Sequence, residues 1–308
     1  MKLFEVYIIL ERSSMKFKDS YHPYAIITIV FWSLAYVLTR LTLQYFSSFS
    51  LGFLRYFIAS CTLICIAFMT KMKFPSRRDL PWFLLAGAVG FFIYIITFNK
   101  GQESITASTA SVVIATVPVI TAVLARFIYS EKLSCIQWGA ILIELTGVCI
   151  LTLLKGIFSI NIGLLWLFLA ALVLSIYNLI QRRLTKKYTA LQTSSFSIFS
   201  GTLLLAVFMP ASVKEVLHVP FIQLFYVVLL GVFSSAIAYI AWSKAFSKAR
   251  QTSDVSNYMF VTPFLTSTLG FFIANEIPEY STLIGGAVIL FGILVFNFGD
   301  KVYGLLYK

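Results

Sequence analysis

Residues 104–151 read SITASTASVVIATVPVITAVLARFIYSEKLSCIQWGAILIELTGVCIL, and residues 249–296 read ARQTSDVSNYMFVTPFLTSTLGFFIANEIPEYSTLIGGAVILFGILVF. Each stretch has a small and polar helix start, a proline inside the apolar run, a glutamate 13 residues later and a final helix that carries glycine. At a constant offset of 145 residues, the matched residues are Ser108 with Ser253, Ser111 with Ser256, Pro118 with Pro263, Thr121 with Thr266, Glu131 with Glu276 and Gly147 with Gly292. The second half of the chain therefore repeats the first half.

The composition is that of a membrane protein. The 308 residues are 59% hydrophobic and only 12% charged, whereas a soluble domain carries about 25% charged residues. Runs of about 20 apolar residues are long enough to cross a bilayer, and they must be helical because backbone groups in lipid need internal partners. Ten such spans are predicted, at 23–44, 49–70, 80–99, 106–125, 133–153, 161–181, 191–211, 221–243, 254–274 and 280–299.

Five spans fill each half, and because five is odd the second half must enter the bilayer in the opposite orientation. Many secondary transporters are inverted repeats of this kind, with a substrate site near the bilayer midplane. The predicted divisions are a cytoplasmic N-terminal segment, a first five-helix repeat, a second five-helix repeat and a cytoplasmic tail, at 1–20, 21–155, 156–300 and 301–308. Met1 and Met15 both remain open as the start of translation.

The net charge of +12 is explained by its distribution. With the N-terminus inside, 19 of the 24 Lys and Arg residues fall on the inner side, four fall on the outer side, and Arg55 lies within a span. This bias follows the positive-inside rule and predicts that both termini are cytoplasmic. The basic balance therefore indicates no nucleic-acid partner, and the lipid bilayer is the surrounding medium.

The paired pattern resembles the EamA-type half of the drug/metabolite transporter superfamily, over nearly the whole chain. The first half adds FW at 31–32 and FLRYFIAS at 53–60, which are similar to that family's opening helix pair. The resemblance implies an all-α membrane protein, with ten transmembrane helices in two inverted repeats around a central cavity. Helices 1–4 and 6–9 would form the cavity, and helices 5 and 10 would pack the halves together. The second half departs from the first, since FSIFSG at 196–201 in the seventh span contains no arginine to match Arg55.

Pro118 and Pro263 are the hinge candidates. Each proline removes a backbone donor, so a carbonyl one turn earlier is freed inside the membrane. Two interpretations remain open: a bend at which each half moves, or a static kink that fits the neighbouring helices.

Aromatic rings with polar tips and amides within the spans suit a cavity for an amphiphilic organic solute. The candidate substrate-binding residues are Trp32, Tyr36, Arg55, Tyr94, Asn99, Tyr177, Asn178, Tyr239, Trp242, Asn257 and Tyr258. The 30 phenylalanines are instead assigned mainly to lipid-facing surface.

Acidic and basic residues within spans each have two interpretations. Arg55 either holds a substrate carboxylate or makes a structural contact. Glu144 is the coupling candidate, since a carboxyl group in a span can exchange protons, but the fifth helix belongs to the packing seam in the resembling family. Glu131 and Glu276, at span ends, are expected to cap or anchor helices.

These features predict a secondary transporter, an exporter or exchanger of a small organic metabolite in a bacterial inner membrane. No Walker loop is present, so ATP would not drive the chain directly, whereas protons remain a candidate coupling ion. A membrane enzyme would need clustered His, Asp or Glu, and the sequence predicts no catalytic residue, metal or cofactor. A sensor or interaction subunit without flux is the alternative, although it would not explain the repeat. The oligomeric state is left open.

Overall fold

The computed structural model describes residues 20–153, 162–274 and 280–306, and within these ranges the regular structure is helical, with no strand. The helical segments are α1 (His22–Thr42), α2 (Ser48–Met69), α3 (Arg77–Ser104), α4 (Ala107–Tyr129), α5 (Cys135–Leu153), α6 (Ile162–Leu184), α7 (Ala190–Val216), α8 (Phe221–Lys248), α9 (252–274) and α10 (Tyr280–Leu306). Seven of them, α1–α4 and α6–α8, are long and apolar enough to cross a membrane. The predicted all-α membrane class is confirmed, while spanning by α5, α9 and α10 stays a prediction.

The structure describes most of the predicted C-terminal tail but almost none of the predicted N-terminal segment. The N-terminal segment 1–20 lies outside the described residues, apart from Ser20. At the other end, α10 continues as helix to Leu306, beyond the predicted span end at 299 and into the predicted tail 301–308.

Short side chains begin several helices. Ser47 accepts a hydrogen bond from the backbone N–H of Ser50 at the start of α2, and Thr106 caps α4 in the same way. Thr189 and Gln192 form a reciprocal capping box at α7. These caps satisfy N–H groups that a helix start leaves without intrahelical partners.

The third helix of each half contains a π-helical segment. Ala88–Ile93 interrupts α3, and Leu230–Ile237 interrupts α8. A shift of 145 residues carries the first segment onto 233–238, so the two segments overlap in the repeat. Wide π turns are uncommon and occur frequently at functional sites. The matched segments therefore indicate that both halves have the same specialised turn at similar depth.

The proline-bearing helices are interrupted at matched places. In α4, Ala107–Ile114 is followed by a turn and then by Val117–Tyr129. In α9, a short helix leads through the 3-10 segment Asn257–Val261 into Thr262–Ala274. Pro118 and Pro263 are each the second residue of the last segment, where a proline costs no helical hydrogen bond. The breaks are thus present, whereas movement at them stays a prediction.

Helices α5 and α10 pack along each other, as the resemblance implied. A Cβ atom at Gly147 would lie 2.8 Å from the carbonyl oxygen of Gly285, and one at Gly292 would lie 3.2 Å from that of Ala140. Only glycine permits this approach on both sides, because small residues let membrane helices come close. The repeat-matched glycines therefore form two points of close approach in this seam.

One end of the bundle is held by contacts between basic loops, and we call it the basic end. Arg182 of α6 donates to the backbone carbonyls of Phe246 and Arg250. Asp79 accepts hydrogen bonds from Lys187 and Tyr188, and this contact raises the pKa of the Lys187 ammonium group. The loops after α6 and α8 are thereby tied to neighbouring helices at this end.

Glu131 is a helix cap at the basic end, as the sequence predicted. Its carboxylate oxygens accept hydrogen bonds from the backbone N–H of Thr252, at 2.8 and 3.0 Å, and from the Thr252 hydroxyl at 2.7 Å. A carboxylate is favourable at the positive end of the helix dipole. Glu276, its repeat partner, lies outside the described residues.

Candidate functional site

A small cavity lies between α1, α2, α3, α8 and α9. Its lining residues are Trp32, Ala35, Tyr36, Arg55, Tyr94, Phe98, Tyr239, Met259 and Thr262. The cavity has a volume of about 10 Å³, which is enough for about one water molecule. The cavity is therefore closed around its centre in this conformation, and α4, α6 and α7 contribute no lining residue.

Five of the eleven predicted binding residues meet at this cavity. They are Trp32, Tyr36, Arg55, Tyr94 and Tyr239. Trp32 and Tyr36 lie one helical turn apart, so they share a face of α1. Tyr94 and Tyr239 are repeat-matched residues that directly follow or lie close to the two π segments.

Arg55 supplies the positive charge of the cavity wall. Its side chain is buried, with 4% exposure, and Nε donates to the hydroxyl of Ser235 at 2.6 Å. Nη2 makes a longer contact of 3.5 Å to the backbone carbonyl of Ser234. Among the described residues, no carboxylate lies within ion-pair distance of Arg55. The guanidinium is thus held by polar groups of α8 and has no anion beside it.

Aromatic rings form most of the remaining wall. The Trp32 and Tyr239 ring centroids lie 5.1 Å apart, while Phe98 lies 5.1 Å from Tyr36 and 5.5 Å from Tyr94. Such tilted, edge-on and offset contacts are favourable for aromatic pairs. The wall therefore combines apolar faces with a single guanidinium.

Three further predicted residues pack between the cavity and the basic end. The Trp242 ring lies 4.9 Å from that of Trp32, and its Nε1–H donates to Asn178 Oδ1 at 3.1 Å. Tyr177 packs edge-on against Tyr239, with centroids 5.9 Å apart. Trp242, Asn178 and Tyr177 all have 0% exposure, so they fill the space between the cavity and the basic end in this conformation. Their part in binding a solute stays a prediction.

Two predicted residues lie toward the ends of the bundle. The Asn99 amide donates to the backbone carbonyl of Ser48 at 2.8 Å, which ties α3 to the start of α2. The Tyr258 hydroxyl shares a hydrogen bond of 2.5 Å with His22 Nδ1 at the start of α1. Neither lines the cavity.

Asn257 faces α5 instead of the cavity. Its amide donates to Glu144 Oε1 at 3.0 Å, and both side chains are almost fully buried. The other carboxyl oxygen of Glu144 has no hydrogen-bond partner among the described residues, and neither does Asn257 Oδ1. Glu144 also packs against Gly292 of α10. The coupling candidate therefore lies in the α5–α10 seam, in contact with the 3-10 break of α9.

Several residues that line the cavity were not predicted from the sequence. Phe98 was set aside with the lipid-facing phenylalanines, yet it has 2% exposure and lies one turn after Tyr94. Met259 and Thr262 lie in or just after the break of α9. Ser235, the partner of Arg55, does not line the cavity itself, and it matches Gly90 at the repeat offset, so the repeat gave no signal for a polar group there.

An open cleft lies at the end of the bundle opposite the basic end. It has a volume of about 210 Å³ and is lined by Val37, Arg40, Leu41, Gln44, Ala107, Thr266 and Gly270. Arg40 lies one turn beyond Tyr36, and Thr266 lies one turn beyond Thr262. The cleft thus continues the cavity walls of α1 and α9 toward that end.

A larger groove, of about 480 Å³, lies away from this axis. It is formed by α2, the following loop and α7, and its walls are mainly apolar, with Phe68, Phe196 and Phe199 among them. None of the predicted binding residues lines it. Its position between two membrane-length helices indicates contact with lipid, so the central cavity is the candidate site.

The chain belongs to the EamA-like transporter family. The sequence pattern of this family matches residues 20–153 and again residues 161–298. The chain is therefore an integral, multi-pass membrane protein of a family of transporters.

Named relatives agree with this assignment. The uncharacterized transporter YdfC of Bacillus subtilis is 31% identical over 85% of this chain and 86% of its own length. A probable terminal-alkyne amino-acid exporter of Streptantibioticus cattleyicolor is 26% identical, covering 88% and 91%. An S-adenosylmethionine uptake transporter of Rickettsia bellii is 24% identical, covering 82% and 85%. A solved crystal structure with 19% identity shares the fold, with a TM-score of 0.71 over 89% of this chain and 95% of that chain.

Proposed function

We propose that this chain is a secondary transporter that exports or exchanges a small organic metabolite, such as an amino acid or a drug-like solute. The observation that carries the proposal is the buried cavity formed by both halves, with aromatic walls and the Arg55 guanidinium. Concave sites with apolar walls and few polar groups are typical of small-molecule binding. The exporter name of one relative and the uptake name of another support a metabolite as cargo. No catalytic step is assigned to the chain.

Alternating access would proceed from the conformation described. The cleft leads toward the cavity from one end, while Trp242 and Tyr177 fill the space toward the basic end. Rocking of one half against the other would open the second route and close the first. The breaks before Pro118 and Pro263 are the proposed hinges, since they already lack continuous helical hydrogen bonding.

The orientation follows from the loop charges. The positive-inside bias supports cytoplasmic termini and a cytoplasmic basic end. In a bacterial inner membrane, the open cleft would then face the outside. This conformation would be the one that releases an exported solute or collects an exchanged one.

Glu144 is the proposed proton-coupling group. One carboxyl oxygen accepts from Asn257, while the other has no described partner. An ionised carboxylate in this apolar seam would have a single amide donor, so uptake of a proton would change its contact with α9. Protonation at Glu144 would thereby act on the break in α9, and not on the cavity directly.

Flux through purified protein in proteoliposomes tests this function. A mixed pool of labelled amino acids is presented with and without an imposed pH gradient, and protein-free liposomes are the control. Flux above the control supports transport, and its increase under the gradient supports proton coupling. If folded protein moves neither amino acids nor sugars, nucleotides or drugs, the transport proposal fails and a sensor is favoured.

A further inference from the structure

The charge balance of the cavity indicates the kind of solute that it accepts. Arg55 alone among the lining residues carries a formal charge, and no carboxylate in the described part of the chain pairs with it. A buried guanidinium without an anion is unfavourable, because desolvation is not offset by an opposite charge. An anionic group of the solute would provide the missing partner.

The hydrogen-bonding groups of the wall point to the same chemistry. Serine contacts occupy Nε and Nη2 of Arg55, whereas Nη1 has no acceptor among the described residues. Trp32 Nε1 and Thr262 Oγ1, on two other lining residues, are buried and also have no hydrogen-bond partner in the described part of the chain. A guanidinium and an indole only donate, so the wall has an excess of donors. A carboxylate accepts several hydrogen bonds and matches this excess.

The rest of the wall suits an apolar body. Tyr36, Tyr94, Phe98 and Tyr239 present aromatic surface, and Met259 adds a flexible apolar side chain. None of the lining residues is acidic, so a solute ammonium group would find no carboxylate there and only aromatic faces. Recognition of an amino group therefore has little basis in this cavity.

We infer that the substrate is an amphiphilic carboxylate, whose carboxyl group binds Arg55 and whose apolar body lies among the aromatic rings, and that an amino group is not required. This inference rests on the proposed transport function, because it concerns the same cavity. The cavity must widen to admit such a solute, since about one water fits in this conformation.

Three probes built on one skeleton test the inference by binding to the full chain in lipid nanodiscs. L-phenylalanine carries both charged groups, 3-phenylpropanoate only the carboxylate, and 2-phenylethylamine only the ammonium. Calorimetric titration is expected to give affinities within about tenfold of each other for the two carboxylates, and at least tenfold weaker binding for the amine.

Arg55→Gln is expected to weaken both carboxylates by at least about tenfold and to leave the amine unchanged. Arg77→Gln is the matched control, since Arg77 is exposed and distant from the cavity lining. If Arg55→Gln does not fold, the probe comparison on the unchanged protein decides alone.

Equal or tighter binding of the amine, absence of binding by 3-phenylpropanoate, or an unchanged affinity in Arg55→Gln overturns the inference. Flux of solutes that lack a carboxylate would then leave the transport function standing. Conversely, carboxylate binding without any flux in proteoliposomes supports recognition of a carboxylate by the cavity and contradicts the transport function.

Discussion

Arg55 of α2 and Ser235 of α8 are joined by a hydrogen bond of 2.6 Å from the guanidinium Nε to the hydroxyl oxygen. The bond links the two halves of the chain at the cavity wall, and Ser235 belongs to the π-helical segment Leu230–Ile237. Because the acceptor lies on a specialised turn, a change in that turn would move the guanidinium. The pair therefore connects the proposed contact for the solute to a segment of α8.

We predict that Ser235→Ala weakens substrate affinity without removing transport. Loss of the hydroxyl removes the hydrogen bond that positions the Arg55 guanidinium. The half-saturating concentration should therefore rise roughly three- to tenfold, equivalent to about 1 kcal/mol. The maximal rate should change less. Initial flux rates over a concentration series provide the measurement.

Ser200→Ala is the control for this variant, because the Ser200 hydroxyl donates to the carbonyl of Phe196 in its own helix and has no other hydrogen bond among the described residues. An unchanged half-saturating concentration in Ser235→Ala would show that this bond does not position Arg55 for binding.

We predict that Glu144→Gln removes the effect of a pH gradient on flux and leaves exchange at equal pH. The amide keeps the shape of the side chain but cannot take up or release a proton in this range. Flux is measured with and without the gradient in both proteins. Glu215→Gln is the control, since Glu215 bonds Ser47 at the surface. Full gradient stimulation in Glu144→Gln would exclude this coupling role.

We predict that Gly147→Ala destabilises the protein, whereas Gly139→Ala on the same helix does not. The added Cβ at Gly147 would lie 2.7 Å from Ile289 Cγ1 and 2.8 Å from the Gly285 carbonyl oxygen. At Gly139 it would meet no described atom within 4 Å. Overpacking should lower the free energy of unfolding by about 1–3 kcal/mol, while alanine at 139 favours helix by about 0.5–1 kcal/mol.

Thermal unfolding in one detergent compares these two variants with the unchanged chain. Equal transition temperatures for Gly147→Ala and Gly139→Ala would contradict the close approach of α5 and α10.

We predict that Gln44→Cys reacts with a membrane-impermeant maleimide added outside intact cells, and that Lys73→Cys reacts only in inverted vesicles. Gln44 lies at the open cleft, and Lys73 lies at the basic end that we place in the cytoplasm. The native thiols are first replaced by alanine, because they are exposed: Cys61, Cys65, Cys135 and Cys149. The reverse labelling pattern would invert the proposed orientation.

Features that depend on local composition could be predicted from the sequence. Apolar length predicted ten spans, of which seven are membrane-length apolar helices in the structure, and the repeat offset predicted matched irregularities at Pro118 and Pro263. The spacing of Trp32 and Tyr36 put them on one face because α1 is a regular helix there. A position at a span end likewise predicted that Glu131 caps or anchors a helix, and in the structure its carboxylate lies at the start of α9, where a negative charge is favourable.

The orientation of residues in irregular turns could not be predicted. Asn257 begins a 3-10 segment, in which each residue turns about 120° instead of 100°, so its amide faces Glu144 and not the cavity. Asn99 and Asn178 were predicted as cavity residues because amides within spans suit an amphiphilic organic solute. A buried amide needs hydrogen-bond partners, but the sequence does not say which helix supplies them, and here protein groups supply them.

Counterflow in proteoliposomes tests whether a solute crosses the membrane through the cavity. Vesicles are loaded with an unlabelled solute that the flux screen identifies, and entry of the labelled solute is followed for the unchanged chain and for Ala35→Phe. Ala35 lines the cavity with 3% exposure, so a phenyl ring there should fill it. We predict stimulated entry with the unchanged chain and entry at the liposome background with folded Ala35→Phe. Equal counterflow in the two proteins would contradict passage of the solute through this cavity.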